Sequence, residues 1–334
     1  MKVLFIGGTG IISSACVAFA VARGIDLVLL NRGHGTRPIP ANVPVLQGDI
    51  RNKDATAQLL KDMTFDVVVD FVAFTPEHIE TDLELFRGRT KQYIFISSAS
   101  AYQTPPVNWP TVESTPLRNP YWAYSRAKIA CEERLMRAYR EEGIPITIVR
   151  PSHTYDATSV PLDGKYTALD RMRAGKKVVV HGDGTSLWTL THHRDFAKGF
   201  VGLLGNPHAL GEAIHITSDE VLTWNQIIEI LANALGVQAH IVHIPSEVIA
   251  AYDAAWGAGL LGDKAHSMIF DNTKIKRLVP EYVASIPFHQ GAAEIVAWYA
   301  SHPAAQKVDE KLNQLIDTMI AAYDSVGPRT PSAA

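Results

Sequence analysis

Cysteine is scarce in this sequence of 334 residues, which contains only Cys16 and Cys131. A disulfide framework or a cysteine-rich zinc site needs more cysteines than that, so the sequence excludes both classes. Charged residues are also few, at 19 %, while 47 % of the residues are hydrophobic. This composition excludes a disordered chain and a coiled coil, and it predicts a sizeable buried core.

A surplus of basic charge is missing as well, because 31 Lys and Arg stand against 34 Asp and Glu. Proteins that bind nucleic acid electrostatically normally carry a basic surplus, so no nucleic-acid partner is expected. No apolar run reaches the roughly 18 residues of a membrane span. The apolar stretch near Met1 ends at Gly7 and is followed by no cleavage pattern of a signal peptide. We therefore expect a soluble, reduced, cytoplasmic protein without a membrane partner.

What the sequence does contain is a regular alternation of short apolar runs and helical patterns, which lasts to residue 150. Such alternation predicts βαβ units and an α/β fold with a doubly wound parallel sheet of the Rossmann type. After residue 150 the alternation becomes irregular, which predicts a smaller, interleaved C-terminal substrate lobe. The expected units are a dinucleotide-binding domain over 1–150, rejoined by segments near 193–217, a substrate lobe over most of 151–325, and a frayed tail at 326–334.

A glycine-rich turn, Gly-Gly-Thr-Gly-Ile-Ile-Ser from Gly7 to Ser13, lies between the first predicted strand and the first predicted helix. Glycines at this junction let the backbone approach a pyrophosphate, which then lies at the helix N-terminus. An ordinary strand-to-helix turn is the alternative, and the position at the first βα junction favours the nucleotide. The expected cofactor contacts from this turn are Gly7, Gly10, Ile11 and Ile12.

The cofactor is expected to be NADP or NAD, with NADP favoured. An acid at the end of the second strand would bind the ribose hydroxyls of NAD. That position holds Asn31 and Arg32, followed by Arg37, and a neutral residue beside an arginine suits a 2′-phosphate. The alternative is that Arg32 is a solvated loop charge. Asp49 and Ile50 close the third strand, where an adenine would lie, although such an aspartate is often only a turn or cap residue.

A second motif, Tyr124-x-x-x-Lys128, places a phenol and an ammonium on one face of a long predicted helix. A free phenol has a pKa near ~10. A neighbouring ammonium favours the phenolate, so this spacing predicts that Tyr124 exchanges protons with a substrate oxygen. Upstream, Ser98 follows a predicted strand at the edge of the sheet where ligands bind.

These motifs, in this order, resemble the extended short-chain dehydrogenase/reductases, the NAD-dependent epimerase/dehydratase family. The resemblance covers nearly the whole chain and includes the Ser-Ser-Ala-Ser-Ala-Tyr stretch that ends at Tyr102. It implies that Tyr124 is the catalytic acid/base and that Lys128 activates it and anchors the nicotinamide ribose. It also implies that Ser98 polarises the reacting oxygen.

Departures from the family pattern bear on the substrate. Nucleotide-sugar members usually carry an arginine where this sequence has Trp188, and an indole cannot clamp a diphosphate. Asp156 stands where the family usually has glycine. The adjacent Asp-Glu of 4,6-dehydratases is missing between Ser98 and Tyr102, so dehydration is excluded.

Three aromatic or imidazole side chains are candidates for contact with a small-molecule substrate. An indole face can stack on a sugar, and the alternative for each residue is ordinary packing or a hydrogen-bonded loop position. No metal is expected, because no histidine or cysteine spacing typical of ligands was found. The candidate substrate residues are Trp122, His153 and Trp188.

The leading hypothesis is an NAD(P)-dependent oxidoreductase or epimerase acting on a secondary alcohol or ketone of a sugar-like or other small molecule. The alternative is a relative of the chloroplast stem-loop-binding proteins that acts as an RNA-binding or non-catalytic protein. The complete Tyr-x-x-x-Lys motif and the near-neutral charge favour the enzyme. The resemblance also implies a homodimer built on helices over 77–87 and 122–142.

Overall fold

The computed structural model describes residues 1–35 and 37–326. Its strands are β1 (Lys2–Ile6), β2 (Asp26–Asn31), β3 (Val45–Gln47), β4 (Phe65–Asp70), β5 (Thr90–Ile96), β6 (Ile146–Pro151), β7 (His153–Tyr155), β8 (Lys177–His181), β9 (Leu187–Trp188), β10 (Leu190–His192), β11 (Ala213–Ile216), β12 (Leu222–Thr223) and β13 (His240–Ile244). Its α-helices are α1 (Ile11–Ala22), α2 (Lys53–Leu59), α3 (Pro76–Phe86), α4 (Ala123–Glu142), α5 (Tyr166–Arg173), α6 (His193–Gly202), α7 (Trp224–Leu235), α8 (Ser246–Tyr252), α9 (Ala254–Gly259), α10 (Thr273–Leu278), α11 (Phe288–Ser301) and α12 (Glu310–Val326).

Seven parallel strands form the central sheet in the order β3-β2-β1-β4-β5-β6-β11. Alternate residues of β1 enter opposite cores: Val3 and Phe5 pack on the side of α1 and α6, and Leu4 and Ile6 on the side of α3 and α4. Strands covered on both faces must be apolar at every position, which is why they read as continuous hydrophobic runs. The predicted doubly wound, Rossmann-type α/β fold is confirmed.

The second half of the chain contributes to both the sheet and a smaller lobe. Helix α6 packs against α1, and β11 pairs with β6 at the edge of the sheet. The lobe contains the parallel pair β8 and β13, with α5, α7 and α11 packed around an apolar core that includes Trp188 and Trp224. The chain therefore crosses between the sheet and the lobe more than once, and this places lobe residues above the carboxyl ends of the strands.

The element ends differ from the sequence pattern at a few places. The helical pattern over 53–63 predicts a helix from Lys53 to Met63, but α2 ends at Leu59. Helix α12 continues to Val326, the first residue of the predicted tail. The rest of that tail, 327–334, lies outside the described residues. Within 1–35 and 37–326, no helix combines the length and the apolar character needed to cross a membrane.

Candidate functional site

A groove of about 650 Å³ runs along the carboxyl ends of β1, β2 and β3. Every residue of the predicted cofactor set lines this groove except Lys128, which is buried. Because the strands are parallel, their carboxyl ends meet at one edge, where nucleotides bind in folds of this class. The predicted residues that line the groove are Gly7, Gly10, Ile11, Ile12, Asn31, Arg32, Asp49 and Ile50.

The glycine-rich turn is shaped for close approach to a ligand. Gly7 has a φ of +87°, and a Cβ at this position would lie 2.5 Å from Cγ1 of Val72, so no other residue fits without strain. Ser13, where the family motif has its last glycine, donates from Oγ to the Gly7 carbonyl at 2.7 Å and accepts from the Gly10 N–H at 2.7 Å. The turn is therefore held rigidly at the start of α1, as pyrophosphate binding at a helix N-terminus requires.

Asn31 lines the groove and is connected to the same turn. Its Oδ1 accepts a hydrogen bond of 3.0 Å from the Gly8 N–H, and its buried Nδ2 has no partner among the described residues. A buried amide N–H without a partner is unfavourable unless a ligand or water accepts from it. Together with the glycine cradle, this free donor shows that the residues present fit a dinucleotide.

The two arginines after β2 have different surroundings. Arg32 is exposed at the groove, with no ion pair among the described residues. Arg37 forms an ion pair of 2.7 Å with Asp156, the same nitrogen donates to Thr158, and Nη1 donates to the Thr9 carbonyl at 3.5 Å. Arg37 is thereby engaged elsewhere, and Asp156, which departs from the family pattern, is explained as its partner. Of the two, Arg32 is the one available to a ribose phosphate.

Asp49 stabilises the turn after β3, which is one of the two roles that the sequence allowed for it. Its Oδ1 accepts from the Arg51 N–H at 3.0 Å, and its carbonyl accepts from the Thr56 hydroxyl at 3.0 Å. Because Asp49 also lines the groove beside Ile50, the turn bonds do not exclude contact with an adenine. That contact remains a prediction.

Next to the groove lies a cavity of about 290 Å³ between the sheet and the smaller lobe. Its size is at the lower end of the range for small-ligand sites, roughly 300–1,000 Å³. The structure brings together here residues from β5, α4, β7 and β9 that are far apart in sequence. The predicted residues on its wall are Ser98, Trp122, Tyr124, His153 and Trp188.

The serines after β5 have distinct roles in the structure. Ser98 faces the cavity and its Oγ lies 2.9 Å from Oγ of Ser100, which accepts in turn from Ser125 at 2.7 Å. Ser97 points to the interior and donates to Glu132 at 2.5 Å. Ser98, and not Ser97, is therefore the hydroxyl within reach of a ligand.

Lys128 is buried beneath the cavity. Its Nζ donates to the carbonyls of Ala73 and Ile96, both at 2.7 Å, and lies 5.8 Å from the ring centre of Tyr124. Burial lowers the pKa of Lys128 to about 8. The lysine is therefore fixed in place but loses its charge more readily than a free lysine.

The pKa of Tyr124 is raised, whereas the Tyr-x-x-x-Lys spacing predicts that the nearby ammonium lowers it. Burial raises this pKa to about 12, and a hydrogen bond with Ser98 opposes the rise, while the charge of Asp263 adds to it. Desolvation is the larger effect, because the phenolate loses more hydration than the nearby groups replace. At neutral pH Tyr124 is thus a neutral O–H donor.

His153 and Trp188 form one unit in the cavity wall. The Trp188 indole donates from Nε1 to Nδ1 of His153 at 3.2 Å and packs against Trp224 at 5.4 Å between ring centres. Burial lowers the pKa of His153 to about 3, so the ring is neutral. With Nδ1 accepting, its proton lies on Nε2. Trp188 therefore has no free donor for a phosphate.

Two residues of the site were not identified from the sequence, Asn119 and Asp263. Asn119 donates to the carbonyls of Ser100 (3.0 Å) and Gly262 (2.6 Å), and its Oδ1 accepts from the Trp122 N–H (3.0 Å) at the start of α4. Asp263 lies in the cavity wall. No short motif contains either residue, because their importance comes from contacts between distant segments. Within the described parts of the chain, no group of side chains forms a metal site.

Comparisons with known proteins bear on the family and the fold. Over 293 residues the chain is 26 % identical to a 2′-dehydrokanamycin reductase from Streptomyces kanamyceticus, covering 84 % of this chain and 80 % of that protein. It is 27 % identical over 259 residues to the chloroplast stem-loop binding protein of 41 kDa b from Arabidopsis thaliana, covering 72 % and 65 %.

Among solved structures, the chain resembles UDP-glucose 4-epimerase from Bifidobacterium longum in complex with NAD+ and UDP. The TM-score is 0.73 at 18 % identity, covering 91 % of this chain and 100 % of that one, which shows a common fold. The sequence model of the NAD dependent epimerase/dehydratase family matches residues 3–217. The glycine cradle, the groove and the match over most of the chain lead to one conclusion: this protein belongs to the NAD dependent epimerase/dehydratase family.

Proposed function

We propose that the protein is an NAD(P)-dependent oxidoreductase or epimerase acting on a secondary alcohol or ketone of a small, sugar-like molecule that carries no nucleotide. The observation that carries this proposal is the shared cavity of Ser98 and Tyr124, which adjoins the glycine-cradled groove. A proton donor and a second hydroxyl beside a dinucleotide groove are the groups that carbonyl reduction needs.

The neutral state of Tyr124 favours the direction of reduction. A phenol with a raised pKa donates a hydrogen bond to a carbonyl oxygen and passes its proton as negative charge develops there. Ser98, which lines the same cavity beside Tyr124, supplies a second donor to the same oxygen. A nicotinamide bound in the groove supplies the hydride. Lys128 lies close enough to stabilise the phenolate that remains.

The residues that line the cavity disfavour a nucleotide-sugar substrate. A diphosphate brings two negative charges that need paired cations or oriented donors when buried. Trp188 occupies the expected position of the phosphate-binding arginine, and its only N–H is already bonded to His153. An indole face fits the C–H side of a sugar ring instead. The names of the relatives point both ways, since one is a 2′-dehydrokanamycin reductase and another a UDP-glucose 4-epimerase.

We infer that NADP binds better than NAD, because Asn31 brings no carboxylate to the groove while Arg32 is exposed beside it. Cys16 and Cys131 are both free and buried, which suits the reducing environment of the cytoplasm.

Tyr124→Phe provides the direct test of the proposed reaction. The variant keeps the aromatic ring but removes the hydroxyl that donates the proton. Turnover of a panel of keto sugars with NADPH should therefore fall by roughly 10²–10⁴-fold. Binding of NADPH, followed by fluorescence, should not change, because Tyr124 lies in the cavity and not in the groove. Turnover equal to that of the unaltered protein would overturn the assignment of Tyr124.

The pH dependence tests Lys128 separately. Its pKa of about 8 means that the ammonium is present below that pH and is lost above it. We expect kcat to fall as the pH rises through about 8 if the charge stabilises the phenolate. A kcat that stays level up to pH 10 would show that only the two backbone hydrogen bonds of Lys128 matter.

The second candidate, RNA binding, has support from one relative named as a stem-loop binding protein. The net charge of −3 opposes it, because RNA binding depends largely on cationic contacts. The same preparation can be titrated with a labelled RNA hairpin at low and high salt. Salt-dependent binding at nanomolar protein, without NADPH-dependent turnover, would favour this candidate over the enzyme.

A further inference from the structure

Part of the cavity wall, at Asp263 and Lys264, belongs to a single π-helical turn over Leu260–Lys264, which follows α9. Two of its carbonyls are held by side chains from other elements. The Gly262 carbonyl accepts from Asn119 at 2.6 Å, and the Lys264 carbonyl accepts from His181 at 2.9 Å and from the Trp224 indole at 3.2 Å. Asp263, between these two anchors, therefore has a fixed backbone position.

The close packing of this turn against α4 also limits where Asp263 can be. A Cβ added at Gly262 would lie 2.7 Å from Cβ of Trp122 and 3.0 Å from Oδ1 of Asn119. The turn thus sits directly on the N-terminal end of the helix that carries Tyr124. The negative charge of Asp263 is near enough to raise the pKa of the Tyr124 phenol. Because Tyr124 and Asp263 line the same cavity, a ligand that reaches Tyr124 is also within reach of Asp263.

Within the described residues, Asp263 has no hydrogen-bond donor and no cation within 4.0 Å of its carboxylate. Lys264 is next to it in sequence, but its Nζ lies over the Trp122 ring, 5.8 Å from the centre, and forms no ion pair with Asp263. Asp263 is half-buried in this wall, and a carboxylate that has lost part of its hydration is stabilised by a cationic or hydrogen-bonding partner. The open cavity is the place from which such a partner can come.

We propose that Asp263 is a specificity-determining residue that binds a protonated amino group of the substrate, so that the substrate class is amino sugars or amino-substituted polyols. The proposal rests on the proposed function, because it takes the cavity beside Tyr124 as the substrate site. The indole faces of Trp122 and Trp188 pack against the C–H surface of the ring, and Lys264 donates to its hydroxyl or ether oxygens. This arrangement selects an amine over a diphosphate.

The pH response of binding follows from the surroundings of Asp263. The groups that face it are Lys264 on the same turn, Asp163 before α5, and Tyr124 on α4. Burial and Asp163 raise the pKa of Asp263 to about 6, and Lys264 acts in the opposite direction. Affinity should therefore be greatest where Asp263 is ionised and the amine is still protonated, and it should decline as the pH falls through about 6.

The test uses three matched probes, D-glucosamine, N-acetyl-D-glucosamine and D-glucose, with D-glucuronate as an anionic competitor of opposite charge. Binding to the NADPH-loaded protein is measured by saturation-transfer NMR. We expect glucosamine to bind best, and Asp263→Asn to weaken it by roughly 10- to 100-fold, the value of a hydrogen bond to a charged group. The neutral probes should be unaffected by this change, which keeps the shape of the side chain.

A control variant tests whether the loss of any one negative charge weakens the binding of a cationic sugar. Glu229→Gln removes a negative charge from the exposed side of α7, at a residue that does not line the cavity, and should leave glucosamine binding unchanged. Equal loss of glucosamine binding in Glu229→Gln and Asp263→Asn would overturn the proposal. So would tighter binding of glucuronate, or the failure of glucosamine to bind at millimolar concentration.

The proposed function and this inference fail in different ways. If Asp263→Asn loses glucosamine binding while no keto sugar is reduced, the amine site stands and the proposed reaction is wrong. If neutral keto sugars are reduced in a Tyr124-dependent manner and Asp263→Asn behaves like the unaltered protein, the reaction stands and the amine site is wrong.

Discussion

Asn31 holds the glycine-rich turn with one atom of its amide and leaves the other free in the groove. The bond from the Gly8 N–H fixes its orientation, so Nδ2 is presented as a donor. A carboxylate at this position would accept hydrogen bonds from ribose hydroxyls, whereas an amide N–H donates. Asn31 therefore affects the choice of cofactor because its Nδ2 is a hydrogen-bond donor where an acid would place an acceptor.

Changing Arg32 to Ala should weaken NADP selectively, because this side chain is exposed at the groove and is free to pair with a 2′-phosphate. A loss of roughly 10-fold in NADP affinity is expected, with NAD affinity unchanged. Fluorescence titration with both reduced nucleotides measures the ratio. Arg37→Ala is the matched comparison, since Arg37 is bound to Asp156 and should not discriminate between the nucleotides. Equal losses for both nucleotides in Arg32→Ala would show that Arg32 does not contact the phosphate.

The sequence predicts the catalytic candidates better than the residues that support them. Ser98 and Tyr124 are found because strand ends and helical spacing place them without knowledge of distant contacts. Asn119 and Asp263 are found only in the structure, because the turn over Leu260–Lys264 meets the start of α4 through packing between segments far apart in the chain. The direction of the Tyr124 pKa shift is missed for a similar reason, since desolvation depends on the complete cavity.

At the scale of elements, a buried ion pair connects α4 to β6. Glu132 accepts from Arg150 through two nitrogens, at 3.0 Å and 2.6 Å, and both side chains are at most 5 % exposed. The same carboxylate accepts from Ser97, and the guanidinium lies over the Tyr102 ring. The pair thus fixes the helix that carries Tyr124 against the strand end that precedes Ser98.

Glu132→Gln should lower the free energy of unfolding by about 3–5 kcal/mol, because it leaves the Arg150 guanidinium buried without its counter-charge. Urea denaturation followed by circular dichroism measures this change. The double variant Glu132→Leu with Arg150→Met removes both charges and should recover much of the loss. A single variant as stable as the unaltered protein would mean that Tyr102 and the Glu113 carbonyl already compensate Arg150.

The strands of the sheet were easier to predict from the sequence than the helix ends. Runs such as Val67–Val69 are buried on both faces, and continuous burial requires an apolar residue at every position. Helix α2 shows the opposite case. Its pattern extends to Met63, yet the helix ends at Leu59, and Arg89 donates to the carbonyls of Leu60 and Met63 beyond it. A long-range side chain thus satisfies carbonyl groups beyond the end of the helix.

At the scale of the whole molecule, Arg37 connects the two sides of the dinucleotide groove. It follows β2 at one edge, and its partner Asp156 follows β7 on the side of the smaller lobe. His193 adds a second connection from α6 to the Ile11 carbonyl at 3.1 Å. These contacts join the segments that surround the glycine-rich turn, so the groove depends on the packing of the whole chain.

The homodimer that the family resemblance implies stays a prediction, and the outer faces of α3 and α4 are the surfaces on which it can be tested. Exposed acids follow one side of α3 at Glu77, Glu80 and Glu84, and α4 exposes Arg137 and Arg140. In the predicted dimer, a two-fold axis between these helices would bring this acidic row, of which Glu80 and Glu84 also pair with Arg134 and Lys53 of the same chain, against the basic residues of the partner.

Because these charges lie at the surface, we expect a dimer at micromolar concentration that weakens as salt rises. Light scattering after size-exclusion chromatography, at low and high ionic strength, measures the mass. Arg137→Glu combined with Arg140→Glu should give a monomer with unchanged NADPH binding, whereas Lys307→Glu, an exposed charge reversal before α12, should leave the dimer intact. A monomer at low salt in the unaltered protein would exclude this interface, and a dimer that persists in the double variant would place the contact on another face.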